Sequence, residues 1–226
     1  MAICPECGSE KCVKDGVVKG RQRYRCKFCN FRHTVQHRGK SPDVKRQALE
    51  LYLEGLGFRS IGRFLKCSHV AVYNWIESFG ETVKELRSDS TLQVVEMDEM
   101  HTYVSFKKNY CWIWIAVDRY GKRFVNCVLG RDTATGKQLW DPLKDKEIQQ
   151  VITDLWKPYE HFVPRDRHIQ SKAGTHTVEG YNSLFRHFLA RLRRKTKSYS
   201  KSKKMLMYSV MLLMVKWNDG LSAVLN

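Results

Sequence analysis

The sequence predicts a mixed α/β domain preceded by a small cysteine-rich segment and a run of short helices. Three observations lead there. Two CxxC pairs, Cys4 with Cys7 and Cys26 with Cys29, open a chain of 226 residues. Residues 41–87 carry helical periodicity interrupted by short turns, and after Leu92 β-rich runs give way to alternating strand and helix patterns. With 42% hydrophobic and 12% aromatic residues the chain buries a sizeable core, which excludes a disordered tail. The most apolar run, from Met205 to Trp217, contains Lys216 and falls short of the roughly 20 residues a bilayer needs. A buried helix is expected there, and no membrane partner. No charged start followed by an apolar stretch precedes Cys4, so a cytoplasmic protein is expected, and in that compartment eight cysteines point to metal or burial before disulfides.

Residues 1–36 read as short strands and turns. The two CxxC pairs, separated by 18 residues, supply the four thiolates that tetrahedral Zn²⁺ requires, with Cys12 and His33 as alternative ligands. Between the pairs Arg21, Arg23 and Arg25 alternate with Gln22, Tyr24 and Cys26, so a strand here presents a row of guanidinium groups suited to phosphates.

A second segment, residues 41–87, opens with Ser41 as a helix N-cap and Pro42 at the first helical position. A helix carrying Ala48, Leu49, Tyr52 and Leu53 is followed by a short one over residues 59–65. The turn Lys66-Cys67-Ser68 leads to a third from about His69. Ile61, Leu65, Val70, Tyr73 and Ile76 have the spacing of a buried side, giving a helix-turn-helix. Its groove-facing residues are Ser68, His69, Ala71 and Asn74, and Asn74 is the one able to pair with adenine.

The third segment, residues 91–226, starts with a strand over residues 92–98. Two more follow at 110–117 and 124–129, joined by the turn Asp118-Arg119-Tyr120-Gly121. A helix over about 134–144, the apolar run 150–154 and helices after Thr175 complete it. Glu96, Asp98 and Glu99 lie at the end of the first strand, Asp154 follows the apolar run, and Glu179 opens a helix. If the two strands are neighbours, Asp98 and Asp154 meet, and only a cation makes that charge density tolerable. Oxygen ligands select Mg²⁺ or Mn²⁺, and two such ions serve phosphoryl displacement. Val178, Tyr181, Phe185, Phe188, Leu189 and Leu192 form the buried stripe of the helix that Glu179 opens. Asn182, Arg186 and Arg193 share the stripe beside it, and Arg191 and Arg194 belong to its basic end.

The charge is concentrated. Of a formal +17, residues 1–40 contribute ten Lys and Arg against three acids, and residues 180–204 contribute nine with no acid. Two basic blocks around a nearly neutral middle are the footprint of contact with a polyanion, foremost DNA.

Taken together, these residues resemble the DDE transposases of bacterial insertion sequences, specifically the insertion sequence one family. The likeness rests on the two cysteine knuckles, Glu96-Met97-Asp98-Glu99, Ala116-Val117-Asp118-Arg119 and Thr153-Asp154. It continues through Trp156, Pro158-Tyr159-Glu160, Thr177-Val178-Glu179-Gly180-Tyr181-Asn182 and Arg186-His187-Phe188-Leu189, with Gly180-Tyr181 a departure from the expected polar pair. The resemblance implies an RNase H-like catalytic domain in which Asp98, Asp154 and Glu179 bind the catalytic metals. It also implies an enzyme that cuts at the ends of its own element and joins the freed 3′-hydroxyl to target DNA, working as at least a dimer. Two rival functions are a zinc and helix-turn-helix regulator without catalysis and a metal-dependent nuclease of the same fold. Glu96, Glu99 and Asp118 are expected to matter less than the three named acids.

Overall fold

The computed structural model describes residues 2–34, 39–83, 92–121 and 123–225, so the expected segment boundaries at 36, 87 and 91 lie outside the described residues. The chain divides into two compact units, Met1–Pro42 and Asp43–Asn226.

The first unit is an antiparallel meander of β1 (Cys12–Val18), β2 (Arg21–Cys26) and β3 (Arg32–Thr34). Lys19 (φ 49°) and Gly20 (φ 74°) make the two-residue turn that joins β1 to β2, both in the left-handed region that such tight hairpins require. A bulge between Lys14 and Val17 lets Asp15 reach Arg23 at 3.3 Å and Arg32 at 2.9 Å. Its fully buried apolar residues are Cys4 and Cys26, so a hydrophobic core does not hold this unit together.

The second unit begins with three helices, α1 (Pro42–Leu53), α2 (Phe58–Phe64) and α3 (His69–Thr82). Ser68 caps α3, its hydroxyl accepting from the Ala71 backbone at 3.0 Å. A methyl group on Gly62 would stand 2.8 Å from the Cys67 carbonyl, so only glycine allows the α2–α3 turn to close this tightly. The buried side of α3 is Val72, Ile76 and Gly80, with Val70 left 54% exposed, a correction to the expected stripe. Once the helix starts at His69, the i, i+4, i+8 row facing inward runs from residue 72.

A five-stranded mixed sheet follows, built from β4 (Val94–Tyr103), β5 (Tyr110–Asp118), β6 (Arg123–Leu129), β7 (Gln150–Thr153) and β8 (His168–Gln170). Its order is β6-β5-β4-β7-β8. The first three strands are antiparallel, β7 runs parallel to β4, and β8 runs parallel to β7. β4 continues five residues past Asp98, because β5 pairs with it residue by residue from Val95 to Tyr103. Asp98 therefore sits in mid-strand, where a strand end was expected.

Helices cover both faces. One face carries α4 (Thr133–Trp140) and the turn Lys157–His161 over Val95, Met97, Trp114 and Val151. The other carries α5 (His176–Phe188) and α6 (Lys203–Trp217), with the short α7 (Leu221–Leu225) at the end. Met205, Leu206, Val210, Leu212, Leu213 and Met214 of α6 are buried in the same core as α1–α3, so this apolar helix closes its own unit. The contact is close: a methyl on Gly80 would lie 2.4 Å from the Tyr208 ring, and the Tyr52 hydroxyl meets Ser209 Oγ at 2.7 Å.

α5 ends at Phe188 because Leu189 turns extended (φ −107°, ψ 109°), which corrects the expectation that the helix carries its stripe through Leu192. Leu189 and Leu192 are buried all the same, from a separate helical turn at Ala190–Leu192. No helix among the described residues is long and apolar enough to cross a membrane.

Candidate active site and metal centre

Three elements converge on a group of acids. Asp154 follows β7 directly. The parallel pairing of β4 with β7 ends at Glu96 and Ile152, two residues before Asp98 and Asp154 on their strands, and the two carboxylates lie near enough for the Asp154 charge to act on Asp98. Glu179 lies in the first turn of α5. Each carboxylate is engaged by the protein itself: Asp98 Oδ2 accepts from Asn182 Nδ2 at 2.6 Å, Asp154 Oδ1 from the Trp156 backbone at 2.9 Å, and Glu179 Oε1 from the Thr175 hydroxyl at 3.0 Å. They are not drawn within 4.8 Å of one another as a single set.

The charges are nevertheless felt. Burial raises the Asp98 carboxyl to about 6, the Asp154 and Glu179 charges adding to it against hydrogen bonds from the Glu99 backbone and Asn182. Glu99, on the opposite pleat of β4, joins the group. Its Oε2 accepts from the Tyr159 hydroxyl at 2.9 Å, and burial with the Asp154 and Asp98 charges raises it to about 7. Both groups keep in the folded chain a proton that the unfolded chain loses near pH 4. Stability with no cation at these acids is therefore expected to fall as pH rises from about 4 to about 7. Thermal melts of the zinc-loaded protein without Mg²⁺ or Mn²⁺ should show that decline, with a smaller slope in Asp98→Asn; an identical slope in the variant would refute the assignment.

The site also holds an oxygen with no donor. Asn182 is 5% exposed and turns its amide nitrogen to Asp98, leaving its buried Oδ1 without a hydrogen-bond partner. A buried acceptor beside mutually repelling carboxylates is a setting that a hydrated, oxygen-seeking divalent cation completes.

Glu96 has a different role. It is fully buried, pairs with Arg119 Nε, and accepts from the backbone N–H groups of Thr177 (2.9 Å) and Val178 (3.0 Å) at the start of α5. Arg119 in turn donates to the Gly174 carbonyl. The two side chains thus fasten the helix that carries Glu179 to the strand that carries Asp98. Sequence reasoning set Glu96 aside; its one signal was an acid inside an apolar run, Val94-Val95-Glu96-Met97. Asp118 is buried at the end of β5, level with Val95 and Arg123.

In the first unit the four CxxC thiols form a set that could hold a metal ion, every sulfur lying within 4.8 Å of the others. Cys4 and Cys29 are 3.5 Å apart and Cys7 and Cys26 3.6 Å, near the roughly 3.8 Å edge of a tetrahedron with 2.3 Å Zn–S bonds. Backbone N–H groups of Cys29 and Phe28 hold the Cys26 thiol down to about 6, favouring the thiolate that ligates. Cys12 instead faces the Ser9 carbonyl at 3.7 Å, and His33 stacks against Tyr24 and Phe31, so neither belongs to the set. The purified protein is expected to contain one zinc per chain and to lose it in Cys26→Ser, read by metal analysis; unchanged content in the variant would refute the thiol site.

A family model described as IS1 transposase matches residues 91–213, more than half of the chain. The chain belongs to the IS1 transposase family. Among curated relatives, insertion element IS1 4 protein InsB of Escherichia coli (strain K12) is 40% identical over 108 residues, a match covering 47% of this chain and 65% of that protein. Insertion element IS1 protein InsB of Shigella flexneri is 39% identical over 108 residues, covering 47% of this chain and 82% of that protein. One solved structure, a simian T-cell lymphotropic virus intasome in complex with PP2A regulatory subunit B56 gamma, matches at 13% identity. It covers 63% of this chain and 58% of that one, and its TM-score of 0.32 carries no argument.

The cationic candidates of this IS1-family chain fall into different settings. Arg21 and Arg25 are exposed on β2, whereas Arg23 is tied to Asp15. His69 and Asn74 are exposed on α3, and Arg59, Arg63 and Lys66, which the sequence reading did not single out, ring the turn before it. Arg186 is half-buried on α5, while Arg193 and Arg194 are exposed beyond its end rather than on the same helix. Arg191 is 7% exposed; it donates to Ser200 Oγ at 3.0 Å and lies over the Tyr52 and Phe58 rings. It joins α1 and α2 to the C-terminal segment, so its guanidinium is engaged within the protein.

Proposed function

We propose that this chain is a DDE-type transposase that binds the ends of its element, cuts DNA there and joins the freed 3′-hydroxyl to target DNA. The observation that carries the reading is the convergence of Asp98 on the central strand, Asp154 just after β7 and Glu179 in the first turn of α5, in a chain of the IS1 transposase family. We read the sheet as RNase H-like on its order, with the acid-bearing β4 central, three antiparallel strands, and two parallel ones beyond.

Asp98, Asp154 and Glu179 would hold Mg²⁺ or Mn²⁺ through their carboxylate oxygens. Two such ions, when bound, would supply an activated water or 3′-hydroxyl and charge stabilisation for the leaving oxygen. The chain's own part is positioning. Asn182 orients Asp98, Thr175 orients Glu179, and Glu96 with Arg119 sets α5 against β4. Arg186, Arg193 and Arg194 offer cations to the DNA backbone beside the acids. Zn²⁺ on Cys4, Cys7, Cys26 and Cys29 is structural and holds the Arg21 and Arg25 face in shape.

Helices α2 and α3 act as a helix-turn-helix, with His69 and Asn74 reading bases and Arg59, Arg63 and Lys66 on phosphates. Asn74→Ala is expected to cost about 1–3 kcal/mol on the element's own end sequence and little on random DNA. Equal losses on both in a binding titration would refute base reading. Concerted work on two element ends calls for at least a dimer in the cytoplasm.

The decisive experiment incubates the protein with DNA carrying candidate element ends, with and without Mg²⁺, and reads nicked and joined products. Joined products support the transposase. Nicks alone favour a nuclease, and specific binding without cutting favours a regulator.

A further inference from the structure

β7 pairs with β4 only as far as Glu96, so no strand among the described residues covers the edge of β4 beyond that point. A cavity of about 310 Å³ lies there, bounded by His101 and Tyr103 of β4, Lys107, Arg186 of α5, and Arg194 and Tyr199 of the following segment. That size is at the lower end of the roughly 300–1,000 Å³ of small-ligand sites, suited to a single nucleotide rather than a duplex.

Two kinds of wall meet in it. The exposed His101 ring continues an aromatic row, its centroid 5.0 Å from Trp112, 5.7 Å from Tyr110 and 6.2 Å from Tyr103. The same cavity is lined by Lys107, Arg186 and Arg194, with no acid among the lining residues. Arg186 connects the cavity to the acids: it donates to the carbonyl of Asn182 (3.2 Å), whose side chain holds Asp98, and the Asp98 charge acts on it. Cations serve any phosphate. Aromatic faces serve bases, and within a duplex the base faces are covered by neighbouring pairs.

From this pairing of walls we propose that the cavity binds an unpaired nucleotide of the DNA strand next to the cutting site, its base stacked on His101 and Tyr103 and its phosphate on Arg186 and Arg194. The proposal rests on the reading of Asp98, Asp154 and Glu179 as the place where DNA is cut.

The test uses the zinc-loaded full chain in buffer without Mg²⁺ or Mn²⁺ and compares a short blunt duplex with the same duplex carrying a 3′ tail of three thymidines, by fluorescence anisotropy. The tailed probe is expected to bind about tenfold tighter, within the range that base stacking on aromatic rings supplies. The variant His101→Ala with Tyr103→Ala should bring the ratio of the two affinities close to one, and His101→Phe with Tyr103→Phe should preserve it. As a readout on the unaltered protein, the fluorescent base 2-aminopurine at the first tail position should be quenched on binding. Equal affinity for both probes, a ratio unchanged in the alanine variant, or unquenched 2-aminopurine would each overturn the proposal. None of these arms needs cutting. A chain that cuts with Mg²⁺ but shows no tail preference loses only the cavity, whereas one that prefers tails yet cuts without Asp154 loses the assignment of the cutting site.

Discussion

Asp154→Asn is expected to lower Mg²⁺-dependent cutting and joining by about a thousandfold, while DNA binding persists. The carboxylate follows β7 directly and its charge acts on Asp98, so the two together supply the negative potential that a cation needs. Exchanging it for a neutral amide removes one ligand and one charge. Loss of about 4 kcal/mol of transition-state stabilisation corresponds to that factor in rate. Asp98→Asn and Glu179→Gln should behave alike, and combining them should add little, because an incomplete site is already inactive. Glu99→Gln is the informative comparison. Its carboxylate is tied to Tyr159 and coupled to Asp98 and Asp154, so an intermediate loss is expected. Near wild-type rates for Asp154→Asn or Glu179→Gln, measured as nicked and joined product over time, would refute the site.

Glu96→Ala is expected to destabilise the second unit by about 3–5 kcal/mol, because it leaves Arg119 without its buried partner. It also leaves the Thr177 and Val178 N–H groups at the start of α5 unsatisfied. For a unit of this size the melting temperature should drop by roughly 10 °C. Glu96→Gln retains an oxygen acceptor and should lose less, while Glu160→Ala, at an exposed acid, should change little. Because Glu96 sets α5 against β4, the glutamine variant should also cut more slowly even where it remains folded. A Glu96→Ala protein that melts with the wild type would show that the contact is dispensable.

Much of the site was legible in the order of residues. CxxC spacing is a local constraint, and it singles out the four thiols that the structure brings within ligand distance of one another. The strand over 110–117 was legible because a central strand covered on both faces is apolar on both, and the edge strand over 124–129 by its apolar residues Phe124, Val125, Cys127 and Val128. The three acids could be singled out by their places in an alternating pattern, although nothing local revealed that Asp98 lies in mid-strand. Its run, Glu96-Met97-Asp98-Glu99-Met100, reads as a strand end, and only the length of β5 beside it shows otherwise. The stripe through Leu189 and Leu192 misled in the same way, because burial rewards apolar side chains whether the backbone beneath them is helical or extended.

The sequence by itself determined the metal-type thiol set, the mixed α/β character, the position of the apolar helix and the family of the chain, because each is written in short-range spacing or in residue type. Only the tertiary structure decided what Glu96 and Arg191 do. Both carry charge in places where charge is costly, and the partners that make it tolerable come from distant segments. Arg119 lies 23 residues away and the α5 backbone more than 80, while the Tyr52 ring precedes Arg191 by more than 100. A buried charge is explained by what surrounds it in space, and no local pattern along the chain carries that information.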